Sequence, residues 1–189
     1  MAPARSLLLL CAFLFHTSIL IAQGSSTPPS IPLQQGANPF GQAVSADTPH
    51  LSVTAGISAL EAAPGDRLSI ALDVEPRRGI HVYAPGKHTY QVIGLTLDQR
   101  PWLRTQPLKY PPSEIFHFKP LDERVEVYIK PFRLVQDFTI LATPEAKKVL
   151  AGQKSVTIAA KLQYQACDDK LCYAPKTVPL QWTLALRAR

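Results

Sequence analysis

From about residue 50 onward, apolar and polar positions alternate with a period of two. Leu68, Ile70, Leu72 and Val74 alternate with Ser69, Ala71 and Asp73. Val156, Ile158, Ala160, Leu162 and Tyr164 alternate with Thr157, Ala159, Lys161 and Gln163, and Val178, Leu180, Trp182, Leu184 and Leu186 with Pro179, Gln181 and Thr183. Successive side chains of a strand point to opposite faces, so this pattern predicts strands with one face in a core and the other in water. Further strands are expected at 51–57, 80–83, 94–98, 125–129 and 132–141. Between them lie Ala63-Pro64-Gly65-Asp66, Pro85-Gly86-Lys87 and Tyr110-Pro111-Pro112-Ser113, which carry turn chemistry. One helix is predicted, with Thr143 as N-cap, Pro144 in the first turn, Glu145 near the start, Lys147 and Lys148 near the end and Gly152 just beyond. About seven to nine short strands, one short helix and no βαβ alternation predict an all-β chain. The expected architecture is an immunoglobulin-like antiparallel β-sandwich of two sheets.

The N-terminus departs from this pattern. Arg5 precedes an apolar stretch from Leu7 to Leu14, interrupted by His16, Thr17 and Ser18 and resumed from Ile19 to Ala22. That layout predicts a secretory signal peptide over residues 1–23. The stretch is shorter than the run of about 20 apolar residues that a spanning helix needs, so no stable membrane insertion is expected. Residues 24–48 are rich in Ser, Pro, Gln, Gly and Ala and predict a flexible leader. The remainder, 49–189, suits a single domain with a sizeable core. An exported protein, periplasmic or secreted, occupies an oxidising space where disulfides persist.

Lys plus Arg number 20 against 14 Asp plus Glu, a net charge of +6. The basic residues are scattered, so no nucleic-acid partner is expected. Hydrolytic chemistry is equally unsupported, because no nucleophile elbow, paired-carboxylate motif or phosphate-cradling glycine loop is present.

The chemistry concentrates in Tyr164-Gln165-Ala166-Cys167-Asp168-Asp169-Lys170-Leu171-Cys172-Tyr173-Ala174-Pro175. Cys11 leaves with the expected signal, so Cys167 and Cys172 are each other's only partner, with four residues between them. The strand pattern places them on adjacent antiparallel strands of a hairpin, where a disulfide is geometrically easy. A loop this short removes little entropy from the unfolded chain and makes a poor staple. The residues alone leave two readings open, a passive local disulfide and a redox-active pair. Neither cysteine opens a helix that could lower its pKa; Asp168 and Asp169 oppose a thiolate and Lys170 favours it.

This run, continued by Lys176-Thr177-Val178-Pro179-Leu180, resembles the active-site hairpin of the N-terminal periplasmic domain of the thiol:disulfide interchange protein DsbD. Upstream, Pro64-Gly65-Asp66, then Gly79-Ile80-His81-Val82-Tyr83, then Tyr110-Pro111-Pro112 and Val125-Glu126-Val127-Tyr128 follow the order of that family. The resemblance implies a thiol–disulfide carrier on an immunoglobulin-like sandwich with no bound cofactor. It implies that Cys172 attacks and Cys167 resolves. It also implies a cap segment, here Ser113-Glu114-Ile115-Phe116-His117-Phe118-Lys119, in which Phe116 or Phe118 shields the sulfurs. His81, Tyr83, Tyr164, Asp168, Tyr173 and Glu114 complete the expected lining, and His81 departs from the tyrosine usual in the family. Ala174 stands before Pro175 where the family often has a second proline.

Partners implied by the resemblance are a thioredoxin-like or membrane-embedded thiol–disulfide reductase as electron donor and oxidised periplasmic proteins as acceptors, in disulfide repair or cytochrome c maturation. Full-length family members continue into a multi-helix membrane segment and a thioredoxin-like domain. The sequence ends at Arg189, so the expectation is a stand-alone carrier. Two alternatives remain from the residues: a passive immunoglobulin-like binding module, and a copper or zinc protein using the two cysteines with His81, His88 or His117.

Overall fold

The period-two pattern folds as strands. The computed structural model describes residues 42–119 and 122–187, so the expected signal peptide and the leader up to residue 41 lie outside the described residues. In chain order the strands are β1 (Ala43–Asp47), β2 (Leu51–Ile57), β3 (Glu61–Ala62), β4 (Arg67–Pro76), β5 (His81–Tyr83), β6 (Gly94–Leu97) and β7 (Leu103–Thr105). There follow β8 (Glu114–Phe118), β9 (Glu123–Tyr128), β10 (Phe132–Ile140), helix α1 (Pro144–Leu150), β11 (Ser155–Tyr164), β12 (Ala166–Cys167) and β13 (Lys176–Leu186).

They form a five-stranded sheet, β1-β2-β4-β10-β7, and two four-stranded sheets, β3-β13-β11-β6 and β12-β5-β9-β8. Pairing is antiparallel except where β3 runs parallel to the end of β13. The alternating apolar sets of β2, β4 and β10 meet those of β11 and β13 in one core. Trp182 lies fully inside it, its indole N–H directed at the Ala55 carbonyl of the opposite sheet at 3.4 Å. No helix among the described residues is long and apolar enough to cross a membrane.

The helix forms with the expected cap: the Thr143 hydroxyl accepts from the Ala146 amide at 3.2 Å, and Ala146 and Leu150 are its buried contacts with the core. Gly152 takes φ +76°, the left-handed conformation that ends a helix with least strain in glycine.

Besides the short unexpected strands β3 and β7, three segments differ from expectation. Ala43–Asp47 falls inside the expected leader yet is strand β1, paired residue for residue with β2. Its two inward positions, Val44 and Ala46, are small and only half-buried, so its apolar signal is too weak to stand out from a leader composition. Glu114–Phe118, expected as a cap loop, is strand β8, because pairing with β9 satisfies its backbone. The hairpin tip between β11 and β13 is more than a turn: it contributes β12 to a different sheet, against β5.

Candidate functional site

The β11–β13 hairpin delivers the cysteines. Ten consecutive cross-strand pairs, from Ser155↔Ala185 to Tyr164↔Lys176, fix its register. Beyond Tyr164 the chain leaves that sheet, and Ala166 and Cys167 pair with Val82 and His81 of β5. Cys167 and Cys172 then face each other in an isolated antiparallel bridge and are joined as a disulfide, with Cα atoms 4.0 Å apart.

Asp168 shapes the turn between them. One carboxylate oxygen accepts the Lys170 and Leu171 amides, each at 2.8 Å, and the other accepts the Tyr173 hydroxyl at 2.8 Å. The Asp168 amide closes the turn on the Leu171 carbonyl at 3.0 Å. The backbone amides of Leu171 and Lys170, then the Tyr173 hydroxyl, hold the Asp168 carboxyl below its ordinary pKa. The turn therefore carries a fixed negative charge beside the sulfurs.

The two cysteines are unequally exposed. Cys167 is 1% exposed, whereas Cys172 is on the surface beside Leu171, itself 51% exposed. Over the disulfide, His81, Tyr83, Tyr90, Phe116, Phe118, Glu123 and Val125 line a small pocket together with Asp168 and both cysteines.

Tyr83 is hydrogen-bonded to the disulfide. Its hydroxyl oxygen lies 3.0 Å from the Cys167 sulfur and 3.3 Å from that of Cys172. A disulfide sulfur has no proton, so the phenol is the donor. Burial, then the neighbouring Tyr90 and Glu123, push the Tyr83 pKa far above the ordinary phenol range, which keeps it a neutral O–H. Its ring stacks on Tyr90 with centroids 4.1 Å apart and planes 6° from parallel, and the Tyr90 hydroxyl donates to Glu123 at 2.6 Å. That bond to Glu123 is the main cause raising the Tyr90 pKa.

Phe116 and Phe118 share one face of β8, two residues apart, and both reach the pocket. Phe116 is the better packed, 4.4 Å from the His81 ring and against the buried cluster of Tyr83, Val125, Val127 and Cys167. Of His81, His88 and His117, only His81 lines the pocket with the sulfurs. The His88 Nε2 bonds the Ala84 carbonyl at 2.8 Å, and the His117 Nε2 pairs with Asp122 at 2.7 Å.

Three residues expected at the lining lie elsewhere. Tyr164 is fully buried in the core, its hydroxyl donating to Thr48 at 2.9 Å, as its phase with Leu162 and Ala160 requires. Tyr173 packs on His50 at 4.3 Å and braces Asp168. Glu114 is exposed and pairs with Lys130 at 2.9 Å. Conversely, sequence reasoning missed Tyr90 and Glu123. The signal for Glu123 was available, since it is in phase with the buried Val125 and Val127 and so turns a carboxylate toward the inner face. Tyr90 sits in a loop without periodicity and gave no signal.

A family model described as thiol:disulfide interchange protein DsbD, N-terminal, matches residues 51–181. The chain belongs to this DsbD N-terminal family. Its sandwich is the family's immunoglobulin-like fold, and membership with the Cys167–Cys172 disulfide makes it a thiol–disulfide exchange domain of a family whose domains are periplasmic. Among solved structures it is similar to the N-terminal periplasmic domain of ScsB from Proteus mirabilis, at 13% identity and TM-score 0.48 over 75% of this chain. The chain spans 49% of the length of that ScsB domain. It is also similar to the GAE domain of GGA2p from Saccharomyces cerevisiae, at 10% identity and TM-score 0.41, covering 74% of this chain and 96% of that one. No curated protein sequence matches.

The buried histidines carry a pH consequence. Burial lowers the pKa of His81, opposed by the Asp168 charge, and burial followed by the Lys176 charge lowers that of His50. Below the ordinary histidine pKa of about 6.5 the unfolded chain therefore binds more protons than the folded one. Stability is complete above that value and is lost as pH falls from it toward the lowered folded pKa values. Urea midpoints measured between about pH 7.5 and 5 are expected to fall, and to fall less in a His50→Phe variant. A midpoint flat over that range would contradict the burial of both rings.

Proposed function

We propose that this protein is an extracytoplasmic thiol–disulfide carrier in which Cys172 exchanges with partners and Cys167 resolves. The observation that carries the reading is the unequal exposure of the two cysteines: Cys172 is an exposed residue, and Cys167 is buried at 1% exposure. Exchange requires in-line approach of a thiolate to a sulfur, so only the open one offers a target.

In the reducing half-cycle a partner thiolate attacks the Cys172 sulfur, forming a mixed disulfide, and the bonding electron pair leaves on Cys167. That charge arises 3.0 Å from the Tyr83 hydroxyl, a donor already in place and too weakly acidic to lose its own proton. A second partner thiolate then cleaves the mixed disulfide and releases reduced Cys172. In the oxidising half-cycle Cys172 attacks a client disulfide and Cys167 displaces the reduced client. Donors of the thioredoxin-like or membrane-embedded reductase class, and oxidised periplasmic clients including those of disulfide repair and cytochrome c maturation, fit this chemistry. Phe116 and Phe118 act as the shield on the Cys167 side of the pair, limiting oxidation of that thiol by small molecules.

The test is equilibration in dithiothreitol or glutathione buffers with trapping of free thiols. The expected result is a reversible couple within the range of known carriers, roughly −270 to −120 mV. A disulfide that opens only when the protein unfolds would leave a passive binding module instead.

A further inference from the structure

Resolution requires that the buried Cys167 thiol lose its proton, and the pocket limits where that proton can go. Its titratable members besides the cysteines are Tyr83 on β5, Tyr90 in the following loop, Glu123 on β9, Asp168 in the turn and His81 on β5, while β8 contributes the rings of Phe116 and Phe118. Both carboxylates are already occupied. Glu123 holds the Tyr90 proton at 2.6 Å, and Asp168 accepts from two amides and Tyr173. The phenols are donors and very weak bases.

His81 is different. It is the cross-strand partner of Cys167, so both side chains stand on the same face of that small sheet at neighbouring positions. It is 5% exposed, packed between the rings of Phe116 at 4.4 Å and Tyr83 at 5.8 Å, and its ring nitrogens are engaged by no hydrogen bond to another described residue. We propose that His81 is the general base that takes the proton from the Cys167 thiol during resolution. This rests on the exchange reading given above.

The step balances. With Cys172 held in a mixed disulfide, the Cys167 S–H proton passes to the His81 imidazole, and the resulting thiolate attacks the Cys172 sulfur. The Cys167–Cys172 bond forms as the bond to the client breaks. The client sulfur departs with the electron pair and is protonated from water, and the imidazolium returns its proton to solvent. Burial keeps the imidazole neutral beforehand, and the Asp168 charge favours the imidazolium once formed.

The probe is 5,5′-dithiobis(2-nitrobenzoate) with the fully reduced protein in stopped flow. Attack by Cys172 releases one thionitrobenzoate and leaves the other in a mixed disulfide; resolution by Cys167 releases the second. The readout is the ratio of the second rate to the first as a function of pH. In the unaltered protein the second phase is expected to level off above an inflection below about 6.5, and in His81→Phe to keep rising through the ordinary thiol range near 8.5, with the ratio at least about tenfold lower at pH 7. His81→Gln, which keeps polarity without basicity, is expected to behave like His81→Phe and decides the matter if the phenylalanine misfolds. An unchanged ratio and profile in His81→Gln would overturn the role of His81 while leaving the exchange reading intact. Failure of the unaltered protein to release the second thionitrobenzoate would overturn both.

Discussion

Cys172→Ser is expected to abolish exchange, whereas Cys167→Ser is expected to trap partners. With Cys172 removed, the remaining thiol is 1% exposed beneath Phe116 and Tyr83, and a reagent reaches it only when the site opens. An opening free energy of about 3 kcal/mol slows its reaction by about two orders of magnitude. With Cys167 removed, the open Cys172 still forms mixed disulfides, but no internal thiol remains to displace them. Incubated with oxidised glutathione and followed by intact mass, Cys167→Ser should accumulate the adduct and Cys172→Ser should remain unmodified over the same period. Trapping through Cys167 in the Cys172→Ser variant would reverse the assigned roles.

Trp182→Ala is expected to destabilise the fold by roughly 3–5 kcal/mol, a large part of the 5–15 kcal/mol typical of a domain. The indole fills the core between the five-stranded sheet and the β3-β13-β11-β6 sheet, and Trp182 pairs with Ile158 within the hairpin that carries the cysteines. Reducing the disulfide is expected to cost less, about 2 kcal/mol or below, because closing so short a loop removes little unfolded-state entropy. Urea denaturation of the unaltered protein, with the disulfide intact and reduced, and of Trp182→Ala measures both effects. Reduction more damaging than Trp182→Ala would make the pair a structural staple and remove the case for a carrier.

Much of the hairpin was legible because its signals are local. The alternation over Val156–Tyr164 and Val178–Leu186 set both strands and their inner faces, and the spacing of the cysteines across the turn set their pairing. Tyr164 shows the strength of that signal. Its period-two phase put it on the core face, where the structure has it, whereas the family resemblance had assigned it to the lining. The strand at Ala43–Asp47 was missed for the opposite reason, since an edge strand burying only small side chains has almost no apolar contrast.

The pocket itself was not legible as a set. Tyr83 meets Cys167 across 84 positions, and Tyr90 meets Glu123 across 33. Such meetings depend on how separate strands stack, and residue pattern carries no record of that.

The sequence by itself determined the sandwich, the helix and the two cysteines facing each other across a turn, because period, caps and turn chemistry act within a few residues. Only the tertiary structure decided that the hairpin tip leaves its own sheet to pair with β5. With that pairing Cys167 is buried while Cys172 is exposed, His81 stands opposite Cys167 on the neighbouring strand, and the Tyr83 hydroxyl lies against its sulfur. Burial is a property of the assembled packing, and it separates two chemically identical thiols.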